Sequence, residues 1–169
     1  MSRLLQVRTA GEIAAVVRLA REVWREHYVA IVGEAQVDYM LEKFQSADAI
    51  RDQLDHGFEY YRIVEEGGDA GYVAIVPDED PAVLFLSKIY VARAFRGRGL
   101  GTQALALVET RCRELGRRVI RLTVNRHNRT SIAWYESKGF VNTGPLVQDI
   151  GGDFVMDDFV MEKRVELTI

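Results

Sequence analysis

The stretch Arg96-Gly97-Arg98-Gly99-Leu100-Gly101-Thr102 constrains this chain more than any other. An apolar, strand-like run over 83–91 precedes it. Leu100, Ala104, Leu107, Val108, Cys112 and Leu115 then recur at helical spacing, which predicts a helix over 99–115 that Gly116 ends. A strand that passes through alternating glycines into a helix leaves backbone N–H groups unobstructed at the positive end of the helix dipole. Such a junction suits a phosphate or pyrophosphate, and Arg96 and Arg98 add charge beside it. Two nucleotide loops fail on spacing. No Lys follows Gly101, as a Walker loop requires, and Thr102 stands where the third glycine of a dinucleotide fingerprint belongs. A phosphate loop of another kind remains, against a glycine-rich turn that holds no ligand.

The rest of the chain supplies the frame. Ile13, Val16, Val17, Ala20, Val23 and Trp24 mark an amphipathic helix over 12–28, entered through a Thr9–Glu12 capping box. A second helix is expected over 34–44. A third starts at Ser46 or Asp48 and stops at His56-Gly57. Residues 60–76 read as a hairpin turning at Gly67-Gly68-Asp69, and Asp78-Glu79-Asp80-Pro81 as another turn. A buried strand follows over 119–124, then a helix over 130–138 stopped by Gly139. Strands over 140–147 and 154–163 flank a Gly151-Gly152 turn. The order predicts an α/β chain: a mixed sheet with helices on its faces. The 169 residues predict one domain over 1–169.

Composition excludes several classes. With 48% hydrophobic and 28% charged residues, the chain is neither disordered nor collagen-like. No apolar run approaches the roughly 18 residues of a membrane helix, and the first residues lack the apolar core of a secretory signal. Cys112 lies in the apolar helical stripe and reads as core. A soluble cytoplasmic protein is expected, with no membrane partner. Residues 93–129 hold ten Arg against two acids, a balance of +8, so the remainder carries −11 of the net −3. A basic middle suits phosphates and an acidic remainder a cationic substrate, although ordinary solvated faces would leave the same pattern. His27, His56 and His127 show no ligand spacing, so no metal is expected.

The loop Arg96-Gly97-Arg98-Gly99-Leu100-Gly101 resembles the pyrophosphate loop Arg/Gln-x-x-Gly-x-Gly/Ala of the GNAT superfamily of acyl-CoA N-acyltransferases. That family places a strand before the loop, matched here by Leu86-Ser87-Lys88-Ile89-Tyr90-Val91, and a helix after it. Further on it carries an Asn, a Tyr in a short helix and then Gly-Phe, matched by Asn128, Tyr135 and Gly139-Phe140. Trp24-Arg25-Glu26-His27-Tyr28, Tyr39-Met40 and Phe44, with 149–152 and 158–161, look like bacterial polyamine acetyltransferases of the Pai type. The resemblance implies a GNAT fold: a central, mostly antiparallel sheet with a splayed parallel strand pair and helices on both faces. It also implies acetyl-CoA as cosubstrate and direct transfer of the acetyl group to a primary amine, here a small polyamine such as spermidine.

Residue by residue, the resemblance implies that the splayed pair is 83–91 and 119–124, with the pantetheine arm pairing along the backbone of Ile89, Tyr90 and Val91 as an added strand. The pyrophosphate would sit on N–H groups from Arg96, Gly97, Arg98, Gly99, Leu100, Gly101 and Thr102. Asn128 would bond the pantetheine region, or serve only as a helix N-cap. Lys138 would reach the 3′-phosphate, or remain a solvated helix-end lysine. Tyr135 would protonate the departing thiolate, or stabilise its charge by a hydrogen bond alone.

Many relatives carry an acid on the strand before the loop. Here Phe85 and Ser87 occupy that region and the strand has no Asp or Glu, so the general base is unassigned. His27 or His127 could serve, as could Glu26 or Glu34 through water. Phe58, Tyr60, Tyr61 and Tyr72 either line an amine cleft by cation–π contact or form ordinary sheet core. The rivals are a protein or peptide amine as acceptor and a CoA-binding sensor without turnover. No nucleic-acid motif accompanies the arginines, so no nucleic-acid partner is expected. The oligomeric state is open, with a homodimer among the options.

Overall fold

The computed structural model describes residues 2–66 and 68–167. In chain order the elements are β1 (Arg3–Gln6), α1 (Ala10–Val32), α2 (Glu34–Gln45), α3 (Ala47–Asp55), β2 (Glu59–Glu65), β3 (Gly68–Pro77), β4 (Val83–Val91), a short 3-10 turn (Arg93–Phe95), α4 (Leu100–Glu114), β5 (Val119–Asn125), α5 (Arg129–Ser137), β6 (Val141–Gly151) and β7 (Phe154–Arg164). The strands form one sheet in the order β1-β2-β3-β4-β5-β7-β6. It is mostly antiparallel, and its parallel pair is β4–β5, registered as Val83↔Val119, Leu84↔Ile120 and Phe85↔Arg121. The expected mixed α/β sheet is present.

The chain divides into two compact units. The first is the chain through Val76 together with Lys88–Val108; the second is Pro77–Ser87 with the chain from Glu109 onward.

In the first unit α1 begins at the predicted capping box. The Thr9 hydroxyl accepts from Glu12 N at 3.2 Å, and Glu12 Oε1 accepts from Thr9 N at 3.0 Å. Its buried face carries Ile13, Val16, Leu19, Ala20, Val23 and Trp24. The Ile, Val and Leu side chains each contribute roughly 1.5–3 kcal/mol when taken from water. The helix runs past the predicted end to Val32, because Gly33 (φ 87°) is the first residue to leave helical geometry. Ser46 caps α3 by accepting from Ala49 N. Strand β1, not foreseen from the sequence, pairs antiparallel with β2 from Arg3↔Val64 to Gln6↔Tyr61. Gly67 of the predicted hairpin turn lies outside the described residues.

A buried polar chain crosses this unit. Trp24 Nε1 donates to the Tyr72 hydroxyl at 3.0 Å, which donates to Gln45 Oε1 at 2.6 Å, while Gln45 Nε2 donates to the Tyr60 hydroxyl at 2.9 Å. Tyr60 and Tyr72 stack with ring centroids 6.3 Å apart. Burial pushes the Tyr60 phenol up to about 12 and that of Tyr72 well above its ordinary value.

In the second unit β5 pairs antiparallel with β7, and β7 with β6. Ile120, Leu122 and Val124 alternate inward along β5, and Met161 is buried opposite on β7. Arg117 holds the turn before β4 by donating to the carbonyls of Asp78, Asp80 and Val83 at 2.8–2.9 Å. Strand β6 runs to Gly151, beyond the predicted 140–147, and the Gly151-Gly152 turn follows where expected. Cys112 is fully buried, as its place in the apolar stripe predicts, and burial raises its thiol pKa.

Candidate active site

The first unit holds the glycine loop. Gly97 (φ 80°) and Gly99 (φ 76°) take the left-handed conformation that side chains resist, and a Cβ at either would meet nothing within 4 Å. These glycines serve the turn and leave the space above it open. Gly101 lies within the first turn of α4. The first helical bond runs from Gln103 N to Gly99 O at 3.1 Å, so the N–H groups of Leu100, Gly101 and Thr102 precede the intrahelical ladder. Leu100 is buried and pins the helix start to the core. The loop therefore combines open space at its glycines with N–H groups outside the helical ladder at the positive end of a helix dipole, an arrangement that attracts an anion such as a pyrophosphate.

Ile89, Tyr90 and Val91 form the end of β4, half-buried. Gly71 on β3 meets them so closely that a Cβ there would stand 2.1 Å from Tyr90 O and 3.1 Å from Val91 Cα. Ala92 N donates to Ala70 O at 2.7 Å and fixes the exit from the strand.

The two loop arginines turn to protein partners. Arg96 Nε donates to Val91 O at 3.1 Å and its NH2 to His27 Nε2 at 2.8 Å, with Glu26 Oε2 at 4.0 Å. Arg98 pairs with Glu65 at 3.0 Å and lies over the Phe95 ring. Elsewhere in the basic middle, Arg111, Arg121 and Arg126 pair with Glu114, Glu162 and Asp157. Much of the charge that suggested a polyanion thus meets local acids, and the bare N–H groups are the stronger anion signal.

His27 is half-buried on α1, and its pKa is lowered, first by burial and then by Arg96. Beside it, Tyr28 and Tyr90 join hydroxyls at 2.9 Å, and both rings stand edge-on to Trp24. This aromatic group was not legible in the sequence, because its members lie on α1 and β4. Of the aromatics offered for an amine cleft, Tyr60 and Tyr72 are 0% exposed and Tyr61 8%. They are core, and the cation–π reading fails for them because no face is open to a ligand. Lys88 lies with its Nζ 5.8 Å from the Trp24 ring.

The second unit holds the remaining predicted residues on α5. Asn128 is buried at its N-cap, where its Oδ1 accepts from Ser131 N at 3.4 Å. Asn125 Oδ1 accepts from His127 N and shapes the turn into the helix. Tyr135 is half-buried, edge-on to Trp134 at 5.4 Å and Phe140 at 5.6 Å. Gly139 (φ 96°) ends the helix, as predicted. Lys138, the C-cap, places Nζ 5.7 Å from the Trp134 ring. His127 is exposed. Among the described residues, no group of three or more His, Cys, Asp or Glu could hold a metal ion, and no helix is long and apolar enough to cross a membrane.

A strand that passes through a glycine turn into a helix whose first N–H groups precede the helical ladder, in a sheet with one parallel pair, fits the arrangement that the resemblance to acyl-CoA N-acyltransferases implies. The profile of the acetyltransferase (GNAT) family matches residues 17–140, and the chain belongs to that family. It is an acyl-CoA-dependent N-acetyltransferase with acetyl-CoA as its cosubstrate. An uncharacterized N-acetyltransferase from the pepI 3′ region of Lactobacillus delbrueckii subsp. lactis is 26% identical over 96% of this chain and 97% of its own. An uncharacterized N-acetyltransferase of Bacillus subtilis, YdgE, is 32% identical over 55% of this chain and 60% of its own. The crystal structure of PaiA N-acetyltransferase from Thermoplasma acidophilum, in complex with coenzyme A, has the same fold. Its TM-score is 0.78 at 20% identity, over 97% of this chain and 99% of that one.

Proposed function

We propose that this protein transfers the acetyl group of acetyl-CoA directly to a primary amine of a small polyamine such as spermidine. The observation that carries the cosubstrate half is the open glycine turn ahead of α4, with its N–H groups outside the helical ladder. The pyrophosphate takes the N–H groups of Gly97 to Thr102, because the expected Arg96 N–H already donates to Arg93 O at 3.3 Å, and the pantetheine arm pairs along Ile89–Val91. Asn128 bonds the pantetheine region and Lys138 the 3′-phosphate. Supporting the acceptor half are the likeness of the chain's ends to Pai-type enzymes and the acidic balance outside 93–129, which favours a cation.

In the reaction the amine nitrogen attacks the thioester carbonyl, the C–S bond breaks, and the amine loses one proton. Tyr135 faces the departing sulfur. A free phenol (pKa near 10) is a weaker acid than a thiol (near 8.5), so complete proton transfer from tyrosine to thiolate is uphill by about 2 kcal/mol. Tyr135 therefore works by donating a hydrogen bond as negative charge grows on sulfur, and the proton that finally neutralises the thiolate comes from solvent. The amine, with a pKa near 10.4, must lose its own proton before attack.

The test is release of free thiol from acetyl-CoA across spermidine, spermine, short diamines, aminoglycosides, and peptides with free α- or ε-amines. Turnover led by spermidine or spermine supports the proposal. Turnover confined to peptides makes this a protein acetyltransferase and refutes the acceptor assignment. We also propose that residues 1–169 form one domain. A single calorimetric unfolding transition supports it, and two separate transitions refute it.

A further inference from the structure

Arg96 opens the glycine loop, yet its guanidinium is engaged by the protein itself: by Val91 O at the end of β4 and by His27 Nε2 on α1. Glu26 Oε2, buried and without a hydrogen bond, stands 4.0 Å from the same guanidinium nitrogen. An arginine side chain only donates. His27 Nε2 must therefore be the unprotonated ring nitrogen, with the ring proton on Nδ1. The lone pair that a general base would use is already occupied.

The surroundings agree. Burial first, then the charges of Arg96 and Arg93, oppose a positive charge on the imidazole; Glu26 favours it. From α1 and β4, the Tyr28 and Tyr90 rings flank the imidazole with centroids 6.0 and 6.3 Å away.

We infer that His27 is a positioning residue for acetyl-CoA: its unprotonated Nε2, with the Glu26 carboxylate, holds the Arg96 guanidinium against α1 and so fixes where the glycine loop presents its N–H groups. This rests on the reading of that loop as the pyrophosphate seat. It also removes His27 from the search for the base that takes the amine's proton.

Calorimetric titration of acetyl-CoA tests it with wild type, His27→Phe, His27→Gln, Arg96→Met and the double variant His27→Phe/Arg96→Met. The glutamine carbonyl can accept the Arg96 bond, and phenylalanine cannot. His27→Phe is expected to weaken binding about five- to tenfold, the worth of one hydrogen bond, and His27→Gln to stay within about twofold. The double variant should bind no more weakly than Arg96→Met alone, since the two changes remove one interaction. Ring nitrogen shifts of His27 in the wild type supply a readout that needs no variant. They should show the Nδ1–H tautomer, with a titration midpoint that rises toward the ordinary histidine value in Arg96→Met.

Wild-type affinity in His27→Phe overturns the inference, above all if kcat collapses while acetyl-CoA binding stays, because His27 is then the base. Equal losses in the phenylalanine and glutamine variants, or an Nε2–H tautomer in the wild type, also overturn it. A wild type that binds no acetyl-CoA overturns the loop reading itself, and the inference with it.

Discussion

Replacing Gly71 with alanine sets two known effects against each other. Gly71 does not have a positive φ, so alanine is conformationally permitted there. In open space the change would stabilise the protein by roughly 0.4–1 kcal/mol through the unfolded chain. The site is not open. The new Cβ would stand 2.1 Å from Tyr90 O, whereas ordinary contact begins at 3.4 Å, so about 1.3 Å of relief is needed. The obstacle is the backbone of β4, which cannot rotate aside as a side chain would. Overpacking of this kind costs roughly 1–3 kcal/mol, which exceeds the entropic gain. Gly71→Ala is therefore expected to lose about 1–2 kcal/mol in urea denaturation at unchanged m. It should also weaken acetyl-CoA binding, because the displaced residues are the Tyr90–Val91 segment assigned to the pantetheine arm. A variant at least as stable as wild type, with the same affinity, would refute both the close approach and the role given to that segment.

Tyr72→Phe should cost roughly 2–4 kcal/mol in the same assay, since it strands the Trp24 indole N–H and the Gln45 carbonyl in the core; a loss under about 0.5 kcal/mol would mean those groups find other partners. His27 gives a pH dependence of definite sign. Its folded pKa is lowered, so its contribution is intact above the ordinary histidine value and is lost as pH falls through the lowered one. Thermal melts of wild type and His27→Gln should therefore differ in their pH dependence below about pH 6.5, the wild type losing more on acidification; parallel curves would contradict this. His56, exposed and raised by its Asp52 contacts, acts with the opposite sign and is common to both proteins.

What was legible in the sequence was local. The Thr9–Glu12 box, the Ser46 cap and the stops at Gly116 and Gly139 each depend on residues within one turn of each other, and all four are present. The glycine loop was legible for the same reason. Strand β1 was missed because four residues, Arg3–Gln6, carry too little alternation to register, and pairing with β2 makes them a strand. The last turn of α1, after residue 28, was missed because the apolar periodicity that marked the helix ends at Trp24. Within the predicted span, Glu26, His27 and Tyr28 carry the Arg96 and Tyr90 contacts. Tyr60 and Tyr72 were ambiguous because strand alternation does not reveal where a hydroxyl finds its partner. Gln45, on α2, decides the matter. The Arg96–His27 bond joins residues 69 apart, and no periodicity points to it.

If the N–H groups of the Gly97–Thr102 turn hold the pyrophosphate of acetyl-CoA, filling that turn must abolish binding. Calorimetric titration of acetyl-CoA into wild type and Gly99→Asp measures this. Aspartate brings a negative charge to the phosphate seat and a side chain to a backbone at φ 76°. Saturable binding by the wild type and none by Gly99→Asp is expected, with far-UV circular dichroism showing both folded. Equal affinity in the two folded proteins would place the cosubstrate elsewhere and contradict it.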